Sequence, residues 1–191
     1  GPIQQLGQIF DSWQQATVSF ERITALLAER TTVPDTGTTP GAREAAKGEL
    51  SLAHASFTYR PTDPAAAMVI EDMDLRLRPG ETVALVGPTG AGKSSVIKLL
   101  ARFYDPTSGR VTASGTDIAA FPLPAWRRAL AQVPQETYLF QGTVAENIAY
   151  GARGASEAEI EAAVERIGAL GVIAAIPGGF NAPVGGRGRG L

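Results

Sequence analysis

Residues 81–100 read ETVALVGPTGAGKSSVIKLL, and this stretch decides how the rest of the chain is interpreted. The apolar run at residues 82–86 predicts a buried parallel strand, and residues 95–100 predict the first apolar face of a helix. The turn between them fits the phosphate-binding pattern G-x-x-x-x-G-K-[ST] at every specified position. Its residues are Gly87, Pro88, Thr89, Gly90, Ala91, Gly92, Lys93 and Ser94.

A glycine-rich loop of this kind binds phosphate mainly through its backbone. Glycine lets the chain wrap closely around an anion, so that N–H groups point at phosphate oxygens, and the positive end of the helix dipole adds to the attraction. We expect Lys93 to reach the β- and γ-phosphates and the Ser94 hydroxyl to ligate Mg²⁺. The alternative is a strand-to-helix turn without a ligand. The presence of strand, loop, Lys-Ser pair and helix together favours a nucleoside triphosphate site.

The composition narrows the function classes. A chain of 191 residues has room for one domain and an appendage, and 44% hydrophobic with 19% charged residues is ordinary for a folded protein. The net charge of −2 gives no support for nucleic-acid binding. There is no cysteine, which excludes disulfides, thiol catalysis and zinc–cysteine sites. The single histidine, His54, is interpreted as a strand residue rather than a ligand.

Two segments precede the strands. Residues 3–30 predict one long amphipathic helix, which either covers the sheet of its own domain or packs on an upstream part or a second subunit; we favour the last two. Its apolar stripe consists of Ile3, Leu6, Phe10, Trp13, Thr17, Phe20, Ile23 and Leu27. Proline, glycine and threonine then indicate a linker. The predicted division is residues 1–31 as a helical extension, 32–48 as the linker and 49–191 as the domain.

Short strands are predicted on both sides of the phosphate loop. Residues 50–59 and 73–77 alternate in polarity, and two strands in succession without a helix between them predict an antiparallel subdomain beside the nucleotide core. One side of the first strand is predicted to carry Ala53, Ala55, Phe57 and Tyr59. Residues 111–115 predict a small hairpin, and residues 129–133 predict a further core strand.

Two helices are predicted after the hairpin. Residues 123–130 are expected to form a short surface helix that carries Trp126. Ser156 is expected to open the last helix, because Glu159 three residues later completes a capping box. The buried face of that helix is predicted to consist of Ile160, Ala163, Val164, Ile167 and Leu170.

The carboxylates needed for hydrolysis are not found in the sequence. A nucleoside triphosphatase with this loop needs an aspartate at the end of an apolar strand to position Mg²⁺, but no aspartate follows Asp117. The later glutamates lie in loops or on the polar face of a helix. The guanine-reading pattern N-K-x-D is also missing, which favours adenine as the base.

Several motifs in chain order resemble the nucleotide-binding domain of ATP-binding cassette (ABC) transporters of the exporter type. FTY at residues 57–59 resembles the aromatic A-loop, and RFYDPTSG at 102–109 resembles a run typical of exporter domains. VPQE at 133–136, with GTVAENI at 142–148, resembles the Q-loop and its sequel. The helix over residues 3–30 is similar to the cytoplasmic end of the last transmembrane helix of such exporters. The implied fold is α/β: an incomplete P-loop NTPase core of the ABC ATPase type, an antiparallel β-subdomain and a long N-terminal helix.

The resemblance also implies roles for single residues. Tyr59 would stack on the adenine of ATP, Ser95 would reach the α-phosphate, and Gln135 would approach Mg²⁺ and the attacking water. Lys93 and Gln135 would then be the catalytic residues of this chain. Partners would be a second nucleotide-binding domain and the coupling helices of a transmembrane domain at the cytoplasmic face of the cell membrane. Those helices would contact Tyr138, Leu139 and Phe140.

The chain departs from the family pattern at its end. In the segment that resembles the exporter X-loop, Gly186 replaces a usual glutamate, which puts communication through that loop in question. Leu191 lies where the LSGGQ signature would begin, so the signature, Walker B aspartate, catalytic glutamate and switch histidine would all follow it. We therefore expect an ATP-binding, Mg²⁺-dependent portion of an exporter that does not hydrolyse ATP by itself. The alternative is a non-catalytic nucleotide-binding or regulatory fragment. A phosphate-loop kinase explains neither the Q-loop run nor the leading helix.

Overall fold

The computed structural model describes residues 2–29, 31–135, 137–152 and 154–185. The chain divides into two compact units, Gly1–Arg127 and Arg128–Leu191. Seven α-helices are assigned among the described residues: α1 (Pro2–Ala28), α2 (Ala42–Ala45), α3 (Lys93–Leu100), α4 (Leu123–Arg128), α5 (Val144–Ile148), α6 (Glu157–Arg166) and α7 (Leu170–Ala175). Six strands are assigned there: β1 (Leu50–Phe57), β2 (Ile70–Leu77), β3 (Ser108–Ala113), β4 (Thr116–Asp117), β5 (Gly142–Thr143) and β6 (Pro183–Val184).

The first unit is built on a four-stranded antiparallel sheet with the order β2-β1-β3-β4. The predicted antiparallel subdomain is therefore confirmed, and so is the hairpin, which turns at Ser114 and Gly115 between β3 and β4. Leu52 and Val111 are paired across β1 and β3, and both are buried. Helix α3 also contributes to this core, because Val96 and Leu99 are buried.

A bulge in β1 changes which side chains face the core. The pairing register with β2 shifts between Leu52 and Ala55, and His54 has a positive φ of 48°. Leu52, Ala55 and Phe57 are buried, whereas Ala53 is only half-buried. The prediction that Ala53 shares a side with Ala55 is wrong, because the extra residue of a bulge reverses the alternation.

His54 itself lies on the exposed side of this bulge. Its Nδ1 is 2.8 Å from Oδ1 of Asp72 and 3.7 Å from Oδ2 of Asp74. The hydrogen bond with Asp72, together with the charge of Asp74, raises the pKa of the imidazole above its usual value. The interpretation of His54 as a strand residue is confirmed.

The two predicted core strands are not formed. Residues 82–86 and 129–133 are assigned to no strand, and Val86 and Val133 are 89% and 95% exposed. A buried parallel strand needs a neighbouring strand to satisfy its backbone and layers on both faces to cover its side chains. Within the part of the chain that the structure describes, no strand pairs with either segment.

Helix α4 is shorter and less exposed than the sequence indicates. Trp126 is completely buried, its Nε1 donates to the carbonyl oxygen of Leu100 at 3.0 Å, and its ring stacks on Phe121. The prediction of a surface helix is wrong at this position. The indole instead joins α4 to the C-terminal end of α3.

The segment predicted to be a linker packs against the first unit. Val33 and Ala42 are buried, the N–H of Thr39 donates to the Ala120 carbonyl oxygen at 2.9 Å, and Asp35 accepts a hydrogen bond from the N–H of Leu123 at 2.7 Å. These contacts fix a segment whose composition is typical of a flexible linker. Residues 31–41 therefore follow the surface of the unit closely, although they form no regular element.

One buried cation connects this segment to the turn after α3. The guanidinium of Arg102 is 1% exposed; its Nε donates to Oδ1 of Asp105 and its Nη2 to the Pro34 carbonyl oxygen, both at 2.9 Å. Its Nη1 is buried with no hydrogen-bond partner. Because a buried guanidinium is stabilised only by its partners, this residue makes the packing of the linker specific.

The second unit is a small helical array closed by β5 and β6, which pair antiparallel. The predicted capping box of Ser156 and Glu159 is confirmed at the start of α6, and Ile160 and Val164 are buried as expected. Ile167, however, is 79% exposed, because α6 ends at Arg166 and the chain leaves the helical path. A second box, formed by Thr143 and Glu146, caps α5.

Helix α1 confirms the predicted N-terminal helix, with its last residue at Ala28 rather than near residue 30. Its described apolar side chains, including Trp13 and Phe20, are exposed. Among the residues with described positions, no helix combines the length and the apolar character that a membrane span requires. The predicted division into residues 1–31, 32–48 and 49–191 stays a prediction.

We predict that Arg102→Ala lowers the free energy of unfolding by about 2 kcal/mol, because it leaves Asp105 without its ion pair and the Pro34 carbonyl without its donor. Urea titration followed by circular dichroism measures the change. Arg43→Ala, at an exposed position in α2, is the matched control and is expected to leave stability nearly unchanged. Equal losses in the two variants would contradict this role of Arg102.

Candidate functional site

The phosphate loop lies between residues 82–86, which are assigned to no strand, and the start of α3. Gly90 and Gly92 have φ values of 89° and 79°, in the left-handed region that glycine adopts without strain. A Cβ at Gly92 would lie 2.8 Å from the carbonyl oxygen of Val69, so the loop approaches the sheet more closely than any side chain permits. These backbone conformations give the loop the sharp turn predicted from the sequence.

The start of α3 is suited to bind an anion. Gly92 precedes the helix, and no side chain caps its N-terminus. The first N–H groups of a helix and the positive end of its dipole attract negative charge. Ser94 lies in the first turn of α3 and is exposed. The loop and helix start therefore fit a phosphate group.

Lys93 supplies the positive charge of this site. Its Nζ donates to the carbonyl oxygens of Gly87 and Pro88, both at 2.7 Å. In the described residues no carboxylate lies within ion-pair distance of this ammonium group. Lys93 is thus held inside the loop by neutral acceptors, which an anionic ligand can replace at little electrostatic cost.

Tyr59 follows β1 and contacts α3, the helix that begins with Lys93. Its Oη is 2.9 Å from Oγ of Ser95 and accepts a hydrogen bond from Nζ of Lys98 at 3.2 Å. Ser95 is buried, and the two α3 residues lie one turn apart on the same face. The structure therefore brings Tyr59 to the helix that begins with Lys93, while its stacking on a base stays a prediction.

The Tyr59 ring lies in an aromatic cluster. Its centroid is 4.8 Å from that of Phe57 and 5.1 Å from that of Tyr104, both in edge-to-face geometry. A cavity of about 160 Å³ lies beside this cluster and is lined in part by Tyr59, Tyr104 and Thr107. Tyr59 remains 43% exposed, which leaves part of the ring open to a planar ligand.

The same contacts change the acidity of Tyr59. The hydrogen bond with Ser95, assisted by Lys98, holds the pKa of the phenol below its ordinary value. No role for Lys98 or Tyr104 was predicted from the sequence. The spacing of three between Ser95 and Lys98 was the available signal, because it places both on one side of the helix.

A second cavity of about 290 Å³ adjoins Lys93 on the side of the sheet. Its lining combines apolar residues, such as Leu85 and Val86, with polar groups that include Lys93 and Glu71. Lys93 thus borders this cavity as well as the phosphate loop.

The remaining site predictions fall on the second unit. Gln135 is exposed, and its proximity to Lys93 stays a prediction because the two residues belong to different units. Tyr138 and Phe140 are exposed, whereas Leu139 packs on the buried cluster that contains Val144. Gly186 and Leu191 lie outside the described residues.

Contacts within this unit fix the aromatic residues. Phe140 stacks on Tyr150 with a centroid distance of 4.1 Å and lies edge-to-face with Tyr138 at 5.1 Å. Asn147 holds the Phe140 backbone from both sides, since its Oδ1 accepts from the N–H and its Nδ2 donates to the carbonyl oxygen. The result is an ordered, exposed aromatic surface.

Comparison with known proteins identifies the class of this fold. The family model described as "ABC transporter" matches residues 70–178. A multidrug efflux ATP-binding/permease protein from Mycobacterium bovis is 40% identical over 100% of this chain and 15% of its own length. An ATP-dependent lipid A-core flippase from Nitrosococcus oceani is 37% identical over 98% of this chain and 31% of its own length.

A solved structure agrees with these relatives. A bacterial Atm1-family ABC exporter with ATP bound matches with a TM-score of 0.76 and 33% identity, over 100% of this chain and 33% of that chain. The chain thus spans from 15% to 33% of the length of these three proteins. The family match includes the phosphate loop, α3 and the aromatic surface, and it extends over more than half of the 191 residues. The fold of the chain is an α/β P-loop NTPase core of the ABC ATPase type, and the chain belongs to the ABC transporter family.

Proposed function

We propose that this chain is the ATP-binding portion of an exporter, in which ATP binding and hydrolysis drive the passage of a substrate across a membrane. The observation that carries the proposal is the attachment of Tyr59 to α3, the helix that begins with Lys93. The ring for the base is then hydrogen-bonded to the helix that supplies the ammonium group for the phosphates. The family and the relatives named above support ATP as the nucleotide.

Binding is expected to replace contacts that the loop now makes with itself. The Lys93 ammonium would leave the carbonyl oxygens of Gly87 and Pro88 for the β- and γ-phosphates, while backbone N–H groups of the loop and of α3 bind the remaining oxygens. Tyr59 would stack on adenine, a contact worth roughly 1–3 kcal/mol for a base on an aromatic ring.

Ser95 has to change partners if it is to reach the α-phosphate. Its hydroxyl is buried against the phenol of Tyr59 at 2.9 Å. We propose that nucleotide opens this hydrogen bond, because the base and the α-phosphate would engage the two residues at once. Tyr59 and Ser95 would then respond together to ATP.

The two residues expected to bind Mg²⁺ carry suitable donor atoms. Ser94 offers a hydroxyl oxygen and Gln135 an amide oxygen, and hard oxygen donors are what this ion prefers. When bound, Mg²⁺ would neutralise charge on the phosphate oxygens. Ser94 would hold the ion at the start of α3, and Gln135 would report its presence to the second unit.

Hydrolysis is proposed to require carboxylates that these residues do not supply. After Asp117 the sequence contains no aspartate, and its glutamates do not end apolar strands. We therefore propose that this chain by itself binds ATP without turning it over. The same observation favours the second candidate function, a non-catalytic nucleotide-binding or regulatory module.

Three partner surfaces follow from the proposal. The exposed apolar side chains of α1 would pack on membrane-domain helices, and a second nucleotide-binding domain would face the phosphate loop. Tyr138 and Phe140 would contact coupling helices, with Leu139 supporting them from the core. The chain would then lie at the cytoplasmic face of the cell membrane.

We predict that Lys93→Ala weakens ATP binding at least tenfold, because the phosphates lose their only side-chain cation at the loop. Isothermal titration calorimetry with ATP and with inorganic tripolyphosphate measures the effect, which is expected for both ligands. Lys47→Ala is the matched control, since Lys47 is an exposed lysine paired with Glu44. Unchanged ATP affinity in Lys93→Ala would refute the assigned site.

We also predict that the isolated chain releases no phosphate from ATP above the buffer background, because it lacks a carboxylate to position Mg²⁺ and water. A coupled phosphate-release assay at saturating ATP tests this. Turnover by the chain that disappears in Lys93→Ala would contradict the prediction and remove the support for a non-catalytic module.

A further inference from the structure

The side chain of Lys98 is a second cation beside the proposed ATP site. We propose that Lys98 is a positioning residue that fixes the Tyr59 ring relative to the phosphate loop, and that it thereby strengthens binding of the base without contacting the phosphates. This inference deepens the proposed function and rests on it. It concerns a residue that the phosphate-loop pattern does not include.

The Lys98 ammonium has two kinds of contact with the aromatic cluster. Its Nζ donates to Oη of Tyr59 at 3.2 Å and lies 5.2 Å from the centroid of the same ring. It is also 6.0 Å from the centroid of Tyr104. A cation within about 6 Å of an aromatic centroid is attracted by the ring, so these contacts restrain both the ammonium and the phenol.

Carboxylates do not compete for this ammonium group. Among the described residues, none lies within ion-pair distance of Lys98. The residue is half-buried, which makes its contact with the rings stronger than that of a fully solvated lysine. Lys98 is therefore held by the aromatic cluster rather than by a neighbouring charge.

Lys98 and Ser95 together fix the phenol at two points of one helix. The Oη of Tyr59 is 2.9 Å from Oγ of Ser95 and 3.2 Å from Nζ of Lys98, and Phe57 and Tyr104 lie edge-to-face with the ring. If nucleotide draws the Ser95 hydroxyl towards a phosphate, Lys98 remains as the polar contact of Tyr59 with α3. The ring then keeps its place while Ser95 changes partners.

The same helix sets the distance between base and phosphates. Lys93 and Lys98 belong to α3, where a rise of about 1.5 Å per residue separates their Cα atoms by roughly 7.5 Å along the axis. A rigid spacer of this kind gives the bound nucleotide less freedom and lowers the entropy lost on binding. Lys98 thus acts on ATP through Tyr59.

The test compares ATP with inorganic tripolyphosphate, which has phosphates but no base. In the complete transporter, in one magnesium buffer, Lys98→Met is expected to weaken ATP binding about threefold to tenfold and to leave tripolyphosphate binding within twofold. Methionine keeps an unbranched apolar side chain and removes the ammonium. Lys47→Met, the matched control at an exposed lysine, is expected to change neither affinity.

The outcomes separate three explanations. Equal weakening for both ligands would mean that Lys98 acts on phosphates, and unchanged ATP affinity would mean that it does not act at all; either result overturns the inference. If the wild-type transporter binds neither ligand, the proposed function itself fails. Lys98→Arg is expected to restore most of the ATP affinity, because arginine can donate to the phenol and contact the ring.

A second variant keeps the test decisive if Lys98→Met does not fold. Tyr59→Phe removes the hydroxyl and retains the ring, and it is expected to weaken ATP about threefold without changing tripolyphosphate binding. In the Tyr59→Phe background, Lys98→Met is expected to have a smaller effect than in the wild type. Full additivity of the two substitutions, or wild-type ATP affinity of Tyr59→Phe alone, would overturn the inference.

Discussion

Helix α3 carries the contacts on which the proposed site depends. Its first residue, Lys93, is held by the carbonyl oxygens of the phosphate loop, and Ser95 and Lys98 hold the phenol of Tyr59. Because one short helix connects these groups, the separation of base and phosphate subsites is set by helix geometry rather than by loop conformation. The glycines with left-handed backbone conformations and the uncapped start of α3 then provide the N–H groups that bind the anion.

The other end of α3 connects the site to the N-terminal segment. Arg102, in the turn after the helix, donates to the carbonyl oxygen of Pro34, and its own carbonyl oxygen accepts from Arg127 at 2.9 Å. Trp126 donates to Leu100 in the same region. A displacement of α3 on nucleotide binding would therefore reach the segment that leads to α1 through buried contacts. Under the proposed function, this is the physical route by which ATP binding acts on membrane-domain helices.

Local patterns predicted most of the fold well, and tertiary surroundings explain the failures. The phosphate loop, the alternating polarity of the strands and the Ser156 capping box depend on neighbouring residues, so their signals are contained in the sequence. Residues 82–86 read as a core strand, but a parallel strand forms only beside a partner. The burial of Arg102 and Trp126 could not be predicted, because each is stabilised by residues distant in the chain. For the same reason no role was predicted for Lys98, whereas the resemblance of residues 57–59 to an A-loop predicted one for Tyr59.

The central claim is that one ATP molecule is held between Tyr59 and the phosphate loop. It is tested most directly by nuclear Overhauser contacts between the adenine H2 and H8 protons of bound ATP and the ring protons of Tyr59, in protein with selectively labelled tyrosine. We expect contacts to Tyr59 that vanish in Tyr59→Leu and in Lys93→Ala. Bound ATP whose adenine protons show no contact to Tyr59, or show contacts only to Tyr138 or Tyr150, would contradict it.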